Sequence, residues 1–289
     1  MKFFRRSEPV RPDLAAALDG LDRLAEQSPA LSDAVAIQRA ILRVVYHHPP
    51  LAATVGDLAL ERARDKLHGG VPLLRGESVG LDMAAARALL LELCRAVGRQ
   101  PGTAAIEIGA AIEQAALDVP TLIQAVLGGQ ADAIRERASA LGLDGQLLCT
   151  LLRFSLFPAL EQLAAQLAPL RSLATWQQGY CPTCGSWPLL GEYRGLEQTR
   201  FLRCGLCATE WSIDRLVCPF CGCRDHRQLG YLHVEDDQQR RAATCGQCRC
   251  YNKMIATLIS IPPIELAVYD LTTIHLDLVA LEHGYVAPT

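Results

Sequence analysis

The 289-residue sequence has no basic excess: its net charge is -3 and its isoelectric point lies near 6.2. Proteins that track nucleic-acid phosphates normally show a surplus of Lys and Arg. Residues 181–289 hold 10 Lys plus Arg against 12 Asp plus Glu, and Lys253 is the one lysine among them. A dedicated nucleic-acid-binding face is therefore not expected, although a local arginine patch stays open. No run of about 18 uncharged apolar residues occurs, so no membrane span is expected. Arg5-Arg6 raises the question of a twin-arginine signal, but Glu8, Arg11, Asp13, Asp19 and Asp22 follow where an apolar region would have to lie. These absences predict a cytoplasmic protein. There is also no nucleophile motif, no Gly-rich phosphate loop and no carboxylate pair tied to a pocket, which points away from an enzyme.

What is present is cysteine, unevenly placed. Of 12 cysteines, Cys94 and Cys149 lie alone in the first 180 residues and the other 10 fall between 181 and 250. In a long chain held in a reducing compartment, paired Cys motifs normally hold metal rather than disulfides. Four Cys-x-x-Cys knuckles are present: Cys181/Cys184, Cys204/Cys207, Cys218/Cys221 and Cys245/Cys248, separated by 19, 10 and 23 residues. Two intervening residues let a tight turn aim both sulfurs at one point. Pro182 and Pro219 pre-set the turn, and Gly185 and Gly222 suit a left-handed backbone after the second Cys. The 19- and 23-residue intervals each suit a β-hairpin that brings the chain back to its ion. The expected pairing is thus 181/184 with 204/207 and 218/221 with 245/248, giving two metal ions per chain. Joining the middle two knuckles is the rival pairing.

All-thiolate sites leave no open position for water or substrate, so structural metal is the default. Spacing does not separate zinc from iron, because tetrahedral sulfur accepts both. Nearby Arg194, Arg203, Arg215, Arg224 and Arg249 are candidates to offset the negative charge of the sites. Cys223 and Cys250 each follow a knuckle by two residues. They read as packed or surface thiols, or else as alternative ligands or a redox pair. Cys94 and Cys149 read as small core residues on helices. His47 and His48 read as a helix-end cap, His226 as a solvated loop residue near the second site, and Asp236-Asp237 as a hairpin tip.

The first ~175 residues are rich in helix formers. Helices are predicted from Pro12-Asp13, from Ser32 to before Pro49-Pro50, over 58–67 ending at Gly69-Gly70, from Asp82 to Val97, and roughly over 103–117, 119–127, 130–141 and 143–166. Beyond Tyr180, strand-like runs appear at 187–193, 199–203, 209–213, 229–234 and 251–258. Helical patterning returns over 267–283. The expected architecture is α+β: an all-α domain over 1–175, a first four-cysteine ribbon over 176–215, a second over 216–262, and a C-terminal helix and tail over 263–289.

The run Cys181-Pro182-Thr183-Cys184-Gly185-Ser186, then Cys204 to Cys207 with Thr209-Glu210-Trp211, then Cys218/Cys221 and Cys245/Cys248, resembles the FdhE family of formate dehydrogenase accessory proteins. The tail Asp270-Leu271, Leu276-Asp277 and Glu282-His283-Gly284-Tyr285 is also similar. Members carry His after Thr-Glu-Trp, where this chain has Ser212, and Cys223 and Cys250 are extra to the pattern. The resemblance implies rubredoxin-like, iron-binding knuckles. It also implies a cytoplasmic, non-catalytic maturation factor that is required for formate dehydrogenase activity and binds the catalytic subunit before export. The residues themselves leave two other readings open. One is a redox protein acting on the immature enzyme, and the other is a nucleic-acid-binding zinc ribbon.

Overall fold

The computed structural model describes residues 14–49, 51–234, 237 and 239–288. The candidate export signal at Arg5-Arg6 and the Asp236 half of the hairpin tip lie outside these residues.

The N-terminal half is a helical array. It runs α1 (Leu14–Gln27), α2 (Ser32–His47), α3 (Leu60–His68), α4 (Met83–Val97), α5 (Ala105–Glu113), α6 (Val119–Leu127), α7 (Ala131–Ala140), α8 (Gly145–Gln166) and the single turn α9 (Ala168–Arg171). Local chemistry sets several of the boundaries. Asp82, Asp118 and Asp144 each accept backbone N–H groups at the start of α4, α6 and α8, which satisfies donors that have no partner inside the helix. Ser32 is the first residue of α2, as expected, and its hydroxyl donates to the Pro29 carbonyl at 2.7 Å. Two three-residue strands, β1 (Ala53–Val55) and β2 (Val79–Leu81), pair antiparallel across the helices and were not anticipated.

Helix α8 is the hub of this half and buries side chains around its whole circumference, among them Leu148, Leu151, Leu152, Leu156, Leu160 and Leu163. It is long and apolar enough to cross a bilayer by length and composition, but 61% of its most apolar window is buried inside the protein. It also carries Arg153 and Glu161, so the expected absence of an uncharged apolar run holds.

The C-terminal half contains six strands: β3 (Pro188–Arg194), β4 (Thr199–Cys204), β5 (Glu210–Ser212), β6 (Leu229–Leu232), β7 (Arg240–Cys245) and β8 (Tyr251–Thr257). They form one sheet in the order β5-β4-β3-β8-β7-β6. Each expected ribbon is present as an antiparallel three-stranded unit. The two units are joined edge to edge by a parallel pairing of β3 with β8, from Gly191 opposite Met254 to Arg194 opposite Thr257. A Cβ at Gly191 would lie 2.5 Å from Met254 Sδ, so the close approach at this seam requires glycine.

A buried carboxylate bolts the seam. Glu192 is fully buried on β3 and accepts from Arg203 Nη1, from Thr257 Oγ1 at 3.1 Å and from the Ile261 N–H at 3.1 Å. Arg194 Nη2 lies 3.2 Å from the same carboxylate and 3.0 Å from Glu210. The expected C-terminal helix is two helices, α10 (Leu266–Thr272) and α11 (Ile274–Glu282), broken at Thr273. Helix α11 covers the second unit, where Lys253 reaches Asp270 at 2.6 Å and Asp277 at 2.8 Å.

Candidate metal centres

The four knuckles fold into one repeated loop. In each, the N–H four residues after the first Cys donates to that Cys carbonyl: Gly185 to Cys181, Ala208 to Cys204, Gly222 to Cys218 and Arg249 to Cys245, at 2.9–3.1 Å. The first Cys N–H in turn donates to the carbonyl five residues on, which belongs to Ser186, Thr209, Cys223 or Cys250, at 2.8–3.0 Å. The loop needs a left-handed residue after the second Cys. Gly185 and Gly222 have φ +85° and +71°, as expected, and Ala208 and Arg249 adopt +56° and +58° at the matching positions without the help of glycine.

This repeat accounts for Cys223 and Cys250. Their backbone carbonyls close the third and fourth knuckles, a task that Ser186 and Thr209 perform at the first two. Neither belongs to a four-sulfur set. Cys223 is buried beside Cys218 and Cys245, and the Cys250 thiol lies 3.6 Å from the Cys248 carbonyl.

The eight knuckle sulfurs gather into two sets, Cys181/Cys184/Cys204/Cys207 and Cys218/Cys221/Cys245/Cys248, each with all sulfurs within 4.8 Å of one another. A tetrahedron built on metal–sulfur bonds of about 2.3 Å has edges of about 3.8 Å. The first set shows Sγ···Sγ distances of 3.6 Å (Cys181–Cys207), 3.4 Å (Cys184–Cys204) and 3.6 Å (Cys184–Cys207). The second shows 3.6 Å (Cys218–Cys248) and 3.7 Å (Cys221–Cys245). A disulfide would bring sulfurs to about 2.05 Å, and all 12 cysteines are free. Each set therefore has the spacing and the donor chemistry to hold one metal ion.

The sets differ in their surroundings. All four sulfur residues of the first set are buried and belong to the same apolar core as α4 and α8. Leu73 and Leu74, just past α3, donate their N–H groups to the Pro182 and Thr183 carbonyls at 2.8 and 2.9 Å, which stitches the first knuckle to the helices. In the second set Cys221 is exposed and Cys248 half-buried, and the surrounding apolar cluster is small. A chain of edge-to-face rings, Trp176–Tyr180–Trp187–Phe220, with centroids 5.5, 5.8 and 5.5 Å apart, runs from the helical half to the third knuckle. Gly179 sits so close to that knuckle that a Cβ would lie 1.7 Å from the Pro219 carbonyl oxygen.

Burial pushes the Cys204 and Cys207 thiols well up, and hydrogen bonding with Cys181 adds to the shift. At Cys181 burial acts in the same sense, but hydrogen bonds with Cys184, Cys204 and Cys207 outweigh it and hold the thiol well below its usual range. Ion binding at this set must therefore expel protons from buried thiols. A hydroxyl relay approaches the set from the helical half. Arg171 lies 3.4 Å from Thr183 Oγ1, which is 3.0 Å from Thr209 Oγ1, which is 3.2 Å from Cys207 Sγ. A thiolate can only accept, so once the sulfur is ionised the Thr209 hydroxyl, which otherwise donates to Thr183 Oγ1, must turn to donate to Cys207.

The arginines singled out from the sequence are hydrogen-bonded or stacked on other groups. Arg203 and Arg194 are taken by Glu192, Arg224 by Asp214 at 3.0 Å, and Arg249 by the His283 carbonyl at 2.6 Å, while Arg215 stacks over Tyr193. The guanidinium groups that feel the cysteines are Arg171 and Arg153 at the first set and Arg200 at the second. Burial lowers the pKa of all three; it is opposed at Arg171 by Cys181 and Cys207, at Arg153 by Asp270 ahead of Cys204, and at Arg200 by Tyr193 and Tyr231 ahead of Cys218. Two of these lie on the helical half, and Arg153, in the middle of α8, is out of reach of any argument from sequence proximity.

His47 and His48 act at the end of α2, with Nδ1 atoms 2.7 and 2.8 Å from the Arg43 and Pro49 carbonyls. His226 lines a small cavity beside the second set but is not one of its ligand atoms. Trp211 is buried and donates its indole N–H to the Gln178 carbonyl at 3.1 Å, so it is part of the ribbon core. Cys94 is a core residue of α4, as expected, whereas Cys149 is only half-buried and faces a cleft.

A helical array grafted onto a single sheet that carries two four-thiol sets defines a class of paired-knuckle metal-binding proteins. Residues 180–215 match the sequence model "FdhE, central domain" and residues 218–288 match "FdhE, C-terminal domain". A "Protein FdhE homolog" of Stutzerimonas stutzeri is 39% identical over 112 residues, 37% of this chain and 36% of that protein. "Protein FdhE" of an Escherichia coli O127:H6 strain is 34% identical over 129 residues, 42% of this chain and 40% of that one. The matched region thus spans about two fifths of these relatives. A crystal structure of the FdhE protein from Pseudomonas aeruginosa resembles the whole chain, with a TM-score of 0.62, 27% identity, and coverage of 97% of this chain and 95% of that one. The chain is thus similar to FdhE proteins in sequence over residues 180–288 and in structure over nearly its whole length.

Proposed function

We propose that this protein is a non-catalytic accessory factor needed for formate dehydrogenase activity, acting in the cytoplasm on the catalytic subunit before export. The observation that carries the reading is the pair of four-sulfur sets inside a region matching both FdhE domains. Cys181, Cys184, Cys204 and Cys207 hold one ion, and Cys218, Cys221, Cys245 and Cys248 the other. When bound, the ion supplies cross-linking of two knuckles, and in the iron form also one-electron chemistry. The first knuckle ties the sheet to the helices through Leu73 and Leu74, so metal loading and the docking of the two halves are coupled. The segments 1–175, 176–215, 216–262 and 263–289 serve as the working units of this arrangement. A tagged pull-down from formate-dehydrogenase-expressing cells, read by mass spectrometry, tests the reading. Recovery of the catalytic subunit with its export signal intact is expected. Recovery of nucleic acid or unrelated proteins alone overturns it.

One observation favours a second reading, a rubredoxin-like redox role. Cys221 exposes a ligand position of the second set to a partner. That role requires iron, because zinc has no redox chemistry. An anaerobically purified and then air-oxidised sample without thiolate-to-iron absorbance excludes it.

A further inference from the structure

A cleft of about 560 Å³ opens between the helical half and the first metal centre. This lies within the ~300–1,000 Å³ typical of ligand-binding pockets. One wall comes from the helices, with Val126 and Ile134. The other comes from the first two knuckles and the strand between them, with Trp187, Pro188, Leu189 and Leu206. Among the described residues the lining contains no Asp or Glu, and its two charged residues are both arginines, Arg75 and Arg153.

The two arginines are placed alike. A Cβ at Gly185, just past the first knuckle, would lie 3.0 Å from Arg75 Nη2, and a Cβ at Gly205, inside the second, 3.3 Å from Arg153 Nη1. Each guanidinium thus lies against one knuckle of the same centre. Arg75 donates to the Gly128 carbonyl at 3.1 Å, and neither arginine has an ion pair among the described residues. Arg153 Nε is shut off from solvent and meets no acceptor. Its guanidinium also lies over the Phe154 ring, 4.7 Å from the centroid. Asp270 and Cys204 act on Arg153 only through space, and Asp270 is paired with Lys253 at 2.6 Å. A guanidinium nitrogen shut off from water without an acceptor is costly, and a half-buried arginine with no ion pair has capacity left for an incoming carboxylate.

We propose that this cleft receives a segment of the client protein, an extended apolar stretch carrying an Asp or Glu side chain whose carboxylate reaches Arg153 and Arg75. The proposal rests on the accessory-factor reading above. Charge complementarity selects the carboxylate. Trp187, Pro188 and Leu206 with Val126 and Ile134 form the two apolar walls for its flanking side chains. Because both arginines lie against knuckles of the first centre, the cleft takes this shape only when the sheet is docked on the helices.

The test uses the full metal-loaded chain co-expressed with the catalytic subunit. Arg75→Glu is at the surface and is expected to retain two metals per chain; Arg153→Met keeps its bulk but lies against the first centre, so its capture is read per metal-loaded chain. Each should lower subunit capture about tenfold relative to wild type, as loss of one charge-assisted contact does. Arg75→Lys should restore most of it. A photo-cross-linking amino acid in place of Ile134 should join to a client peptide that contains Asp or Glu among apolar residues. Unchanged capture by both variants, or a cross-link to a Lys- and Arg-rich segment, overturns the cleft proposal while the accessory reading stands. If the wild-type protein captures no subunit, the accessory reading falls and the cleft proposal with it.

Discussion

The two metal centres share one loop design but differ in what they hold up. The first is buried in the main core and bonded to the segment after α3 through Leu73 and Leu74 and to α9 through Arg171. The second stands at the far end of the sheet with Cys221 exposed and its own small apolar cluster. Identical ligand chemistry thus serves as a keystone in one place and as a local staple in the other. What surrounds the sulfurs decides which, because a small ribbon alone buries too little apolar surface to fold without its ion.

The sharpest way to break this comparison is to remove one centre at a time. Cys181→Ala with Cys184→Ala should release one metal and abolish the cooperative thermal transition of the helical half. Cys218→Ala with Cys221→Ala should also release one metal but leave that transition in place. Metal content and far-ultraviolet circular dichroism on both proteins check this, and equal collapse of the two would refute the asymmetry. A chelator added to the wild type should accordingly strip the exposed centre before the buried one, seen as two phases of release.

The seam between the units gives the next effect. Glu192→Gln leaves Arg203 buried against a neutral group and should cost about 3–5 kcal/mol, the range for breaking a buried ion pair. Denaturant unfolding measures it, and a loss under about 1 kcal/mol would show that the seam is held by backbone pairing alone. Gly179→Ala should cost about 1–3 kcal/mol, because the new methyl overlaps the Pro219 carbonyl. Its effect should fall on the second centre, detected as faster metal release there. The smallest effect is expected at Ala208→Gly, which relieves a left-handed alanine and should stabilise by about 0.5–1 kcal/mol.

Much of this was legible from the residues. The helix over 119–127 falls on its expected bounds, and the helix expected from Asp82 starts there, with Asp82 as its cap. The knuckle pairing follows from the lengths of the intervals, and the left-handed glycines from their place after the second Cys. What escaped has physical reasons. Strand β7, Arg-Arg-Ala-Ala-Thr-Cys, has no apolar alternation and is a strand because β6 and β8 hydrogen-bond to it on both sides. Strands β1 and β2 are too short to show a period. The break at Thr273 comes from its hydroxyl, which turns back to the Tyr269 carbonyl at 2.7 Å. The β3–β8 seam and the arginines of the helical half depend on contacts between distant segments, which spacing does not report.

The parallel seam also bears on how the chain is made. During synthesis β3 emerges with its hairpin partner β4 well before β8 leaves the ribosome, so one side of β3 presents unpaired N–H and C=O groups to every other nascent chain. Glu192 sits in the middle of that open strand. Until Thr257 and Ile261 arrive, its carboxylate has only the arginines of its own hairpin and its own strand, and water must supply the rest. A strand with a thirsty charge at its centre is a poor template for a foreign strand, so the same side chain that later locks the sheet guards the half-made protein against aggregation.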